Sequence, residues 1–259
     1  MPRTSYRPNA LLVMKTILFP TDISDNHAIA LNYLRLLARA WEARVVVLHV
    51  YQPLISASTL PTFNDPALAT PTFDTLGSAS TELELESISQ QHLNRFVDEL
   101  QAEGLEAVGD WRMGTVDDEV VEAARQYQPD LLITHRTPAA GFFDRLAGSS
   151  AGDIARSAPC PVLYIPQTTR TEPHIRSVVY VLQQNITQQM VSAQTDPIVD
   201  SFDAHLTIVP PEEIDEYKPD LYIIQRRETG FLDGLLSSDP TEKLLSDSKA
   251  PVLVHHEVK

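Results

Sequence analysis

Short apolar runs alternate with one-sided helical segments along the first two thirds of the chain. Such runs are typical of strands buried on both faces of a parallel sheet, and apolar residues recur between them at helical spacing. The predicted strands are 15–20, 44–50, 105–113, 131–134 and 162–165, and the predicted helices are 26–41, 81–103, 116–127 and 149–157. Five strands alternating with four helices predict an α/β fold, an open parallel five-stranded sheet with helices on both faces.

One segment, 52–80, departs from this alternation. It holds Pro53, Pro61, Pro66 and Pro71 among many Ser and Thr residues and shows little periodicity. Long loops of this kind are usually functional covers or disordered segments. The sequence predicts a loop here and leaves three roles open: a cover, a simple insertion, or the lid of an apolar ligand site.

The chain also repeats part of its own sequence in the same order. The repeated pairs are YQPDL at 127–131 with YKPDL at 217–221, GFFD at 141–144 with GFLD at 230–233, and PVL at 161–163 and again at 251–253. Order is kept and the spacing differs by at most one residue, which argues against chance.

The repeat predicts a full domain at 14–166, a linker within 168–173 and a truncated second copy of the same fold at 174–259. The second copy is shorter because its predicted opening strand, 177–182, is followed after a brief connection by a strand at 206–209. At least one strand and one helix of the first copy have no counterpart there.

Composition excludes several classes of protein. The formal net charge is -15, from 35 acidic and 20 basic residues, with no Lys/Arg cluster, so a nucleic-acid partner is not expected. No apolar run reaches the roughly 18 to 20 residues of a membrane span, so no membrane partner is expected either. Residues 1–13 do not resemble a signal peptide, and the single cysteine, Cys160, cannot form an intrachain disulfide. These features predict a cytoplasmic protein with Cys160 as a packing residue.

Signatures of catalysis and metal binding are missing from the sequence. It has no Gly-x-x-x-x-Gly-Lys-Ser/Thr, Gly-x-Gly-x-x-Gly, His-Glu-x-x-His or Gly-x-Ser-x-Gly motif. His255 and His256 are neighbours on a predicted strand and point to opposite faces, so they do not form a metal site. The sequence therefore predicts no catalytic residue, no metal and no enzyme.

Several segments together resemble the universal stress protein family. They are 15–25, 48–50, 130–134, and Gly148-Ser149 followed by 158–163. The resemblance covers 14–166 fully and 174–256 in part, and it implies a stress-response protein. It also implies adenine-nucleotide binding at the carboxyl ends of the strands, with Asp22 near the adenine, backbone at Val50, and a glycine loop after the fourth strand for phosphates and ribose. The candidate site is Thr21, Asp22, Val50, Gly148, Ser149 and Ser150.

The glycine loop departs from the family pattern of Gly, two residues, Gly, nine residues, Gly and Ser/Thr. Counting back from Gly148, the first two glycine positions hold His135 and Pro138. Glycine permits positive φ and close approach of backbone to phosphate, whereas proline fixes φ and lacks an N–H donor. In the second copy Gln225 takes the place of His135. The expectation is therefore no bound cofactor and no normal ATP binding in either copy.

Two functional hypotheses stay open. One is a regulatory or scaffold protein that works by binding and association without nucleotide. The other is an ATP-binding or slowly hydrolysing switch that uses Asp22, with Gly148 and Ser149 at a helix start that attracts anions. Asp22 could instead cap the strand-to-helix turn. The family pairs domains through the strand at 161–165, so pairing with 251–255 within the chain is expected, and homodimers of whole chains are a further expectation.

Overall fold

The computed structural model describes residues 14–23, 27–52, 73–135, 154, 158–166, 169, 172–226 and 240–256, with the side chains of 73–82 left out. Its strands are β1 (Thr16–Pro20), β2 (Arg44–Tyr51), β3 (Ala107–Met113), β4 (Leu131–His135), β5 (Val162–Ile165), β6 (Ser177–Val181), β7 (His205–Val209), β8 (Leu221–Gln225) and β9 (Val252–His255). Its helices are α1 (Ala28–Trp41), α2 (Phe73–Ala102), α3 (Val116–Tyr127), α4 (Gln188–Phe202) and α5 (Pro240–Asp247), with a 3-10 helix at Pro211–Glu216.

These strands form one nine-stranded sheet in the order β3-β2-β1-β4-β5-β9-β8-β6-β7. All neighbours are parallel except β5 and β9, which pair antiparallel with Leu163 opposite Leu253. The α/β fold predicted from the hydrophobic pattern is confirmed. The sheet consists of two parallel blocks, β3-β2-β1-β4-β5 and β9-β8-β6-β7, joined at the β5–β9 pair.

Helices cover both faces of the sheet. On one face, apolar side chains of α1, α2 and α4 form a continuous core with both strand blocks, including Phe19, Leu163 and Leu253. On the other face, α3 covers the first block, while α5 and the 3-10 helix cover the second. This burial on both sides explains why the strands are apolar runs without alternation.

The same carboxylate contact holds the opening strand of each block. Asp130 Oδ2 accepts hydrogen bonds from the backbone N–H groups of Lys15 (2.8 Å) and Thr16 (3.0 Å) at the start of β1. Asp220 Oδ2 accepts from the N–H groups of Arg176 and Ser177, both at 3.0 Å, at the start of β6. Both aspartates belong to the repeated sequence YxPDL, so the repeat has a structural reason: the carboxylate satisfies two backbone donors that precede the sheet ladder.

One predicted boundary is wrong. Helix α2 begins at Phe73 rather than at residue 81, so 73–80 is helical and not part of a loop. Residues 73–80 show no apolar periodicity, so the sequence pattern did not indicate a helix there. They also contain no proline, which would break a helix, and the helix extends through them. The rest of the predicted loop, 53–72, lies outside the described residues, as do most of the predicted helix 149–157 and the repeats 141–144 and 230–233.

Two further findings concern exclusions made from composition. No helix among the described residues is long and apolar enough to cross a membrane.

Cys160 is buried in the core beneath α3. Burial, with a contribution from the Asp130 carboxylate, raises the pKa of its thiol to about 12. The thiol is therefore protonated at neutral pH and packs as a small apolar group.

The Asp220 contact yields a prediction about stability and pH. Burial alone would raise the pKa of this carboxyl, but hydrogen bonds from Arg176 and Ser177 and the nearby His174 lower it below its ordinary 3.8. Its stabilisation is thus present above about pH 4 and lost as pH falls through the lower folded pKa. Asp220→Ala should lose about 1 kcal/mol in urea unfolding at pH 7, because the part-buried Ser177 N–H and the exposed Arg176 N–H lose their acceptor. The loss should be smaller at pH 3.

Asp98→Ala is the matched control, since Asp98 is exposed on α2 and should change stability by less than about 0.5 kcal/mol. Equal stabilities of the two variants at pH 7 would contradict the role given to Asp220.

Candidate functional site

The carboxyl ends of β1, β2 and β4 meet at one edge of the sheet because these strands are parallel neighbours. Thr21 and Asp22 follow β1, and His135 is the last residue of β4. The structure therefore brings together these three residues, which the sequence singled out. The strand that follows β1 in sequence, β2, lies on one side of it, and β4 lies on the other. The carboxyl edge at such a reversal of strand order is the usual ligand site in open parallel sheets.

The turn after β1 is held by Thr21, which is buried. Its N–H donates to Leu48 O (2.9 Å), and its hydroxyl oxygen accepts from Ile23 N–H (3.0 Å). Ile23 has φ of 57°, in the left-handed region that β-branched residues rarely adopt. The N-cap position of α1 is occupied by His27, so Asp22 does not take that capping position.

Two histidines that sequence reasoning missed pack against this turn. His27 Nδ1 lies 3.3 Å from the Thr21 hydroxyl oxygen. His49 Nδ1 lies 3.0 Å from Thr21 O, and since a carbonyl only accepts, the ring nitrogen is the donor. The signal for His49 was present in Leu48-His49-Val50, a segment used for the family resemblance, but its partner comes only from the fold.

Four buried rings form a continuous group at this edge, here called the ring cluster: Phe19, His27, Phe96 and His135. The His135 ring stacks on Phe19 at 6.5 Å between centroids with an interplanar angle of 23°. The His27 ring meets Phe19 edge-to-face at 6.3 Å and Phe96 at 5.2 Å. His135, only 6% exposed, therefore turns inward to the core face beneath α1 and α2.

Burial makes the imidazoles of His135 and His49 poor bases. It lowers the pKa of His135 to about 4, with His27 adding to the effect and the Asp22 carboxylate opposing it. Burial also lowers the pKa of His49, although the hydrogen bond to Thr21 and the charge of Asp22 act the other way. Both rings are neutral at pH 7, so they supply no positive charge to a phosphate group.

Comparison with known proteins identifies the family. The model of the universal stress protein family matches residues 14–166. This chain belongs to the universal stress protein family.

Solved structures agree with this assignment at the level of the fold. A functionally unknown protein from Pseudomonas aeruginosa PAO1 has a TM-score of 0.65 and 16% identity, over 96% of this chain and 95% of its own. A universal stress protein from Archaeoglobus fulgidus DSM 4304 has a TM-score of 0.58 and 15% identity, over 94% of this chain and 96% of its own. Among curated proteins, no matching relative was found.

The other predicted site residues of this universal stress protein are not all at the described edge. The Val50 side chain packs on the opposite face, in the core beneath α3, so only its backbone lies near the edge. Pro138, Gly148, Ser149 and Ser150 lie outside the described residues. Among the described residues, no group of three His, Cys, Asp or Glu side chains could hold a metal ion.

The corresponding edge of the second block carries a side-chain hydrogen-bond network. The Tyr180 hydroxyl donates to Gln194 Oε1 (2.8 Å), and Gln194 Nε2 donates to Gln225 Oε1 (2.9 Å). Gln183 Nε2 donates to Gln225 O (3.0 Å). Gln225, at the position that matches His135, is 4% exposed and has its amide oxygen engaged within the protein. Sequence reasoning identified Gln225 as the counterpart of His135, but its hydrogen-bond partners come only from the fold.

The ring cluster yields a prediction about pH. The folded pKa of His135 is about 4 against an ordinary 6.5, so its contribution to stability is present above pH 6.5 and lost as pH falls toward 4. His135→Phe retains a ring on Phe19 but cannot titrate. Between pH 7 and pH 5 the parent protein should lose about 2 kcal/mol more unfolding free energy than this variant.

Urea unfolding of both proteins at the two pH values measures the difference. Every other titratable group is the same in both proteins, so the comparison isolates His135. Identical pH dependence of the two would show that His135 is not held neutral by burial.

Proposed function

We propose that this universal stress protein acts in the stress response by binding and association, and that neither half holds ATP in the manner usual for the family. The proposal rests first on His135. Its neutral ring occupies the buried space between β4 and helices α1 and α2, stacked on Phe19. A glycine at this position would leave backbone open to close approach by a phosphate, whereas an imidazole fixed inward does not.

Electrostatics supports the same conclusion. Bound triphosphate needs positive charge or several free N–H donors. His135 and His49 at this edge are neutral at pH 7 and supply no positive charge. In the sequence, Pro138 removes a further backbone donor from the loop. Both features argue against the usual ATP grip.

The second half offers even less to a nucleotide. At its carboxyl edge, the side chains of Tyr180, Gln194 and Gln225 are hydrogen-bonded to one another. A ligand would have to break these bonds, and a buried polar group left without its partner costs about 1–3 kcal/mol.

Association through the middle of the sheet completes the proposal. The two halves are copies of one fold, a long one and a shortened one, and β5 and β9 are the equivalent strands by which they pair. The matching contacts of Asp130 and Asp220 with the opening strands support this duplication. The paired unit, rather than a nucleotide-dependent change, is then what a partner recognises.

An ATP-binding switch is the second candidate function. It is favoured by the position of Asp22 at the carboxyl edge, as the family's adenine-side aspartate requires, and by Gly148 and Ser149 in the sequence. Under this alternative the first half would still bind an adenine nucleotide through residues after β1 and after β4.

Nucleotide content separates the two candidates. Mass spectrometry of freshly purified, denatured protein should find no stoichiometric ATP or AMP. A titration with millimolar MgATP should leave the melting temperature unchanged. If MgATP did bind and were present at 100 times its Kd, it would add about 2.7 kcal/mol to the stability of the native state and raise the melting temperature.

A double variant, His135→Gly with Pro138→Gly, is the matched control, since it restores both glycine positions of the family loop. It should be less stable than the parent but gain a melting-temperature rise with MgATP. A rise of several degrees in the parent protein would instead establish the switch.

A further inference from the structure

A cavity of about 480 Å³ lies at the amino ends of β8 and β9, the end of the second block opposite its hydrogen-bond network. Its volume falls within the range of roughly 300–1,000 Å³ found for small-molecule sites. Tyr33 reaches it from α1, Thr169 and His174 come from the segment between β5 and β6, and its other walls belong to the second block. The cavity is thus shared by the two halves of the chain.

The inner wall of this cavity is aromatic and aliphatic. Tyr33, Tyr222 and Leu244 line it and are each more than nine-tenths buried. The Tyr222 hydroxyl donates to Tyr217 O (2.8 Å), which fixes the ring against the 3-10 helix. The rigid aromatic and aliphatic part of the wall suits a flat apolar group, because such a surface gains most by excluding water.

The rim of the cavity carries three aspartates and three lysines. Asp247 accepts a hydrogen bond from the Ser246 hydroxyl (2.8 Å), and the other two aspartates have basic partners. Asp215 pairs with Lys243 (N···O 2.5 Å). Asp220 accepts hydrogen bonds from Ser177 N–H and hydroxyl, and its other oxygen lies 3.0 Å from His174 Nε2.

Two lysines of the rim, Lys218 and Lys249, have no such carboxylate. Both line the cavity, and no described carboxylate lies within 4.0 Å of either ammonium group. Asp247 is the rim carboxylate that has no Lys, Arg or His nitrogen of the described residues within 4.0 Å. Repulsion from distant carboxylates of this acidic chain is screened beyond about 8 Å at physiological ionic strength, so the charges that line the cavity decide the sign of a ligand. Among the described residues, the unpaired ones are two lysines against one aspartate.

We propose that this cavity binds a small organic anion with a flat aromatic body. The aromatic body lies against Tyr33, Tyr222 and Leu244, and the anionic group faces Lys218 and Lys249. Because Tyr33 belongs to the first half, the bound anion contacts both halves and stabilises their arrangement. The site is separate from the ring cluster, so it stands whether or not ATP binds at the carboxyl edge.

The test uses two fluorescent probes that differ only by one anionic sulfonate group. 8-Anilinonaphthalene-1-sulfonate carries a sulfonate on an aromatic body, and N-phenyl-1-naphthylamine is the same body without it. The full-length protein, shown to be folded by cooperative unfolding, should bind the anionic probe at one site in calorimetry. Lys218→Gln with Lys249→Gln should weaken that probe about tenfold and leave the neutral probe unchanged.

Two further variants make the outcome decisive. Lys15→Gln with Arg125→Gln removes the same charge from surfaces away from the cavity and should bind both probes as the parent does. Leu244→Trp should fill the cavity and abolish binding of both probes. Failure of the parent to bind the anionic probe at one site, or equal binding by the parent and the Lys218/Lys249 variant, would overturn the proposal.

Discussion

The antiparallel pairing of β5 with β9 determines how the two blocks of the sheet are arranged. It joins two parallel blocks into one sheet and places Leu163 opposite Leu253 in a shared core. Without it, two fully apolar strands would be exposed edges, the surfaces most prone to unwanted strand addition. Helices α1 and α4 meet over the same core, where the Trp41 ring N–H donates to Ser201 Oγ (3.0 Å). The junction is therefore held by backbone hydrogen bonds, apolar burial and a helix contact.

This pairing also determines where sites lie. Since β9 runs against β5, the carboxyl ends of the first block and the amino ends of the second block lie at the same edge of the sheet. That edge carries the ring cluster at β1 and β4 and the aromatic cavity at β8 and β9. In the function proposed here, neutral rings take the position at which the family binds its ligand. The cavity near Lys218 and Lys249 lies farther along the same edge.

Sequence alone predicted the elements whose burial is complete. The apolar runs of β1, β2, β4 and β5 and the one-sided pattern of α3 matched the structure to within one residue at each end, because burial on both faces makes these strands mostly apolar. The start of α2 was wrong, because residues 73–80 lack apolar periodicity yet contain nothing that stops a helix. His27 and His49 were missed, and the inward turn of His135 could not be foreseen. Ring contacts depend on which strands are neighbours and which face a residue takes. The cavity was also beyond sequence reasoning, since Tyr33 and Lys249 are distant in the chain.

In the proposed function, the inward-packed, neutral His135 ring replaces the phosphate grip of the first half. A crystal structure of the full-length chain grown in excess MgATP tests it most directly. The expected result is a His135 ring stacked on Phe19, with no nucleotide between the ends of β1 and β4. An adenosine triphosphate seated beside Asp22, with its phosphates on the loop that follows β4, would contradict it.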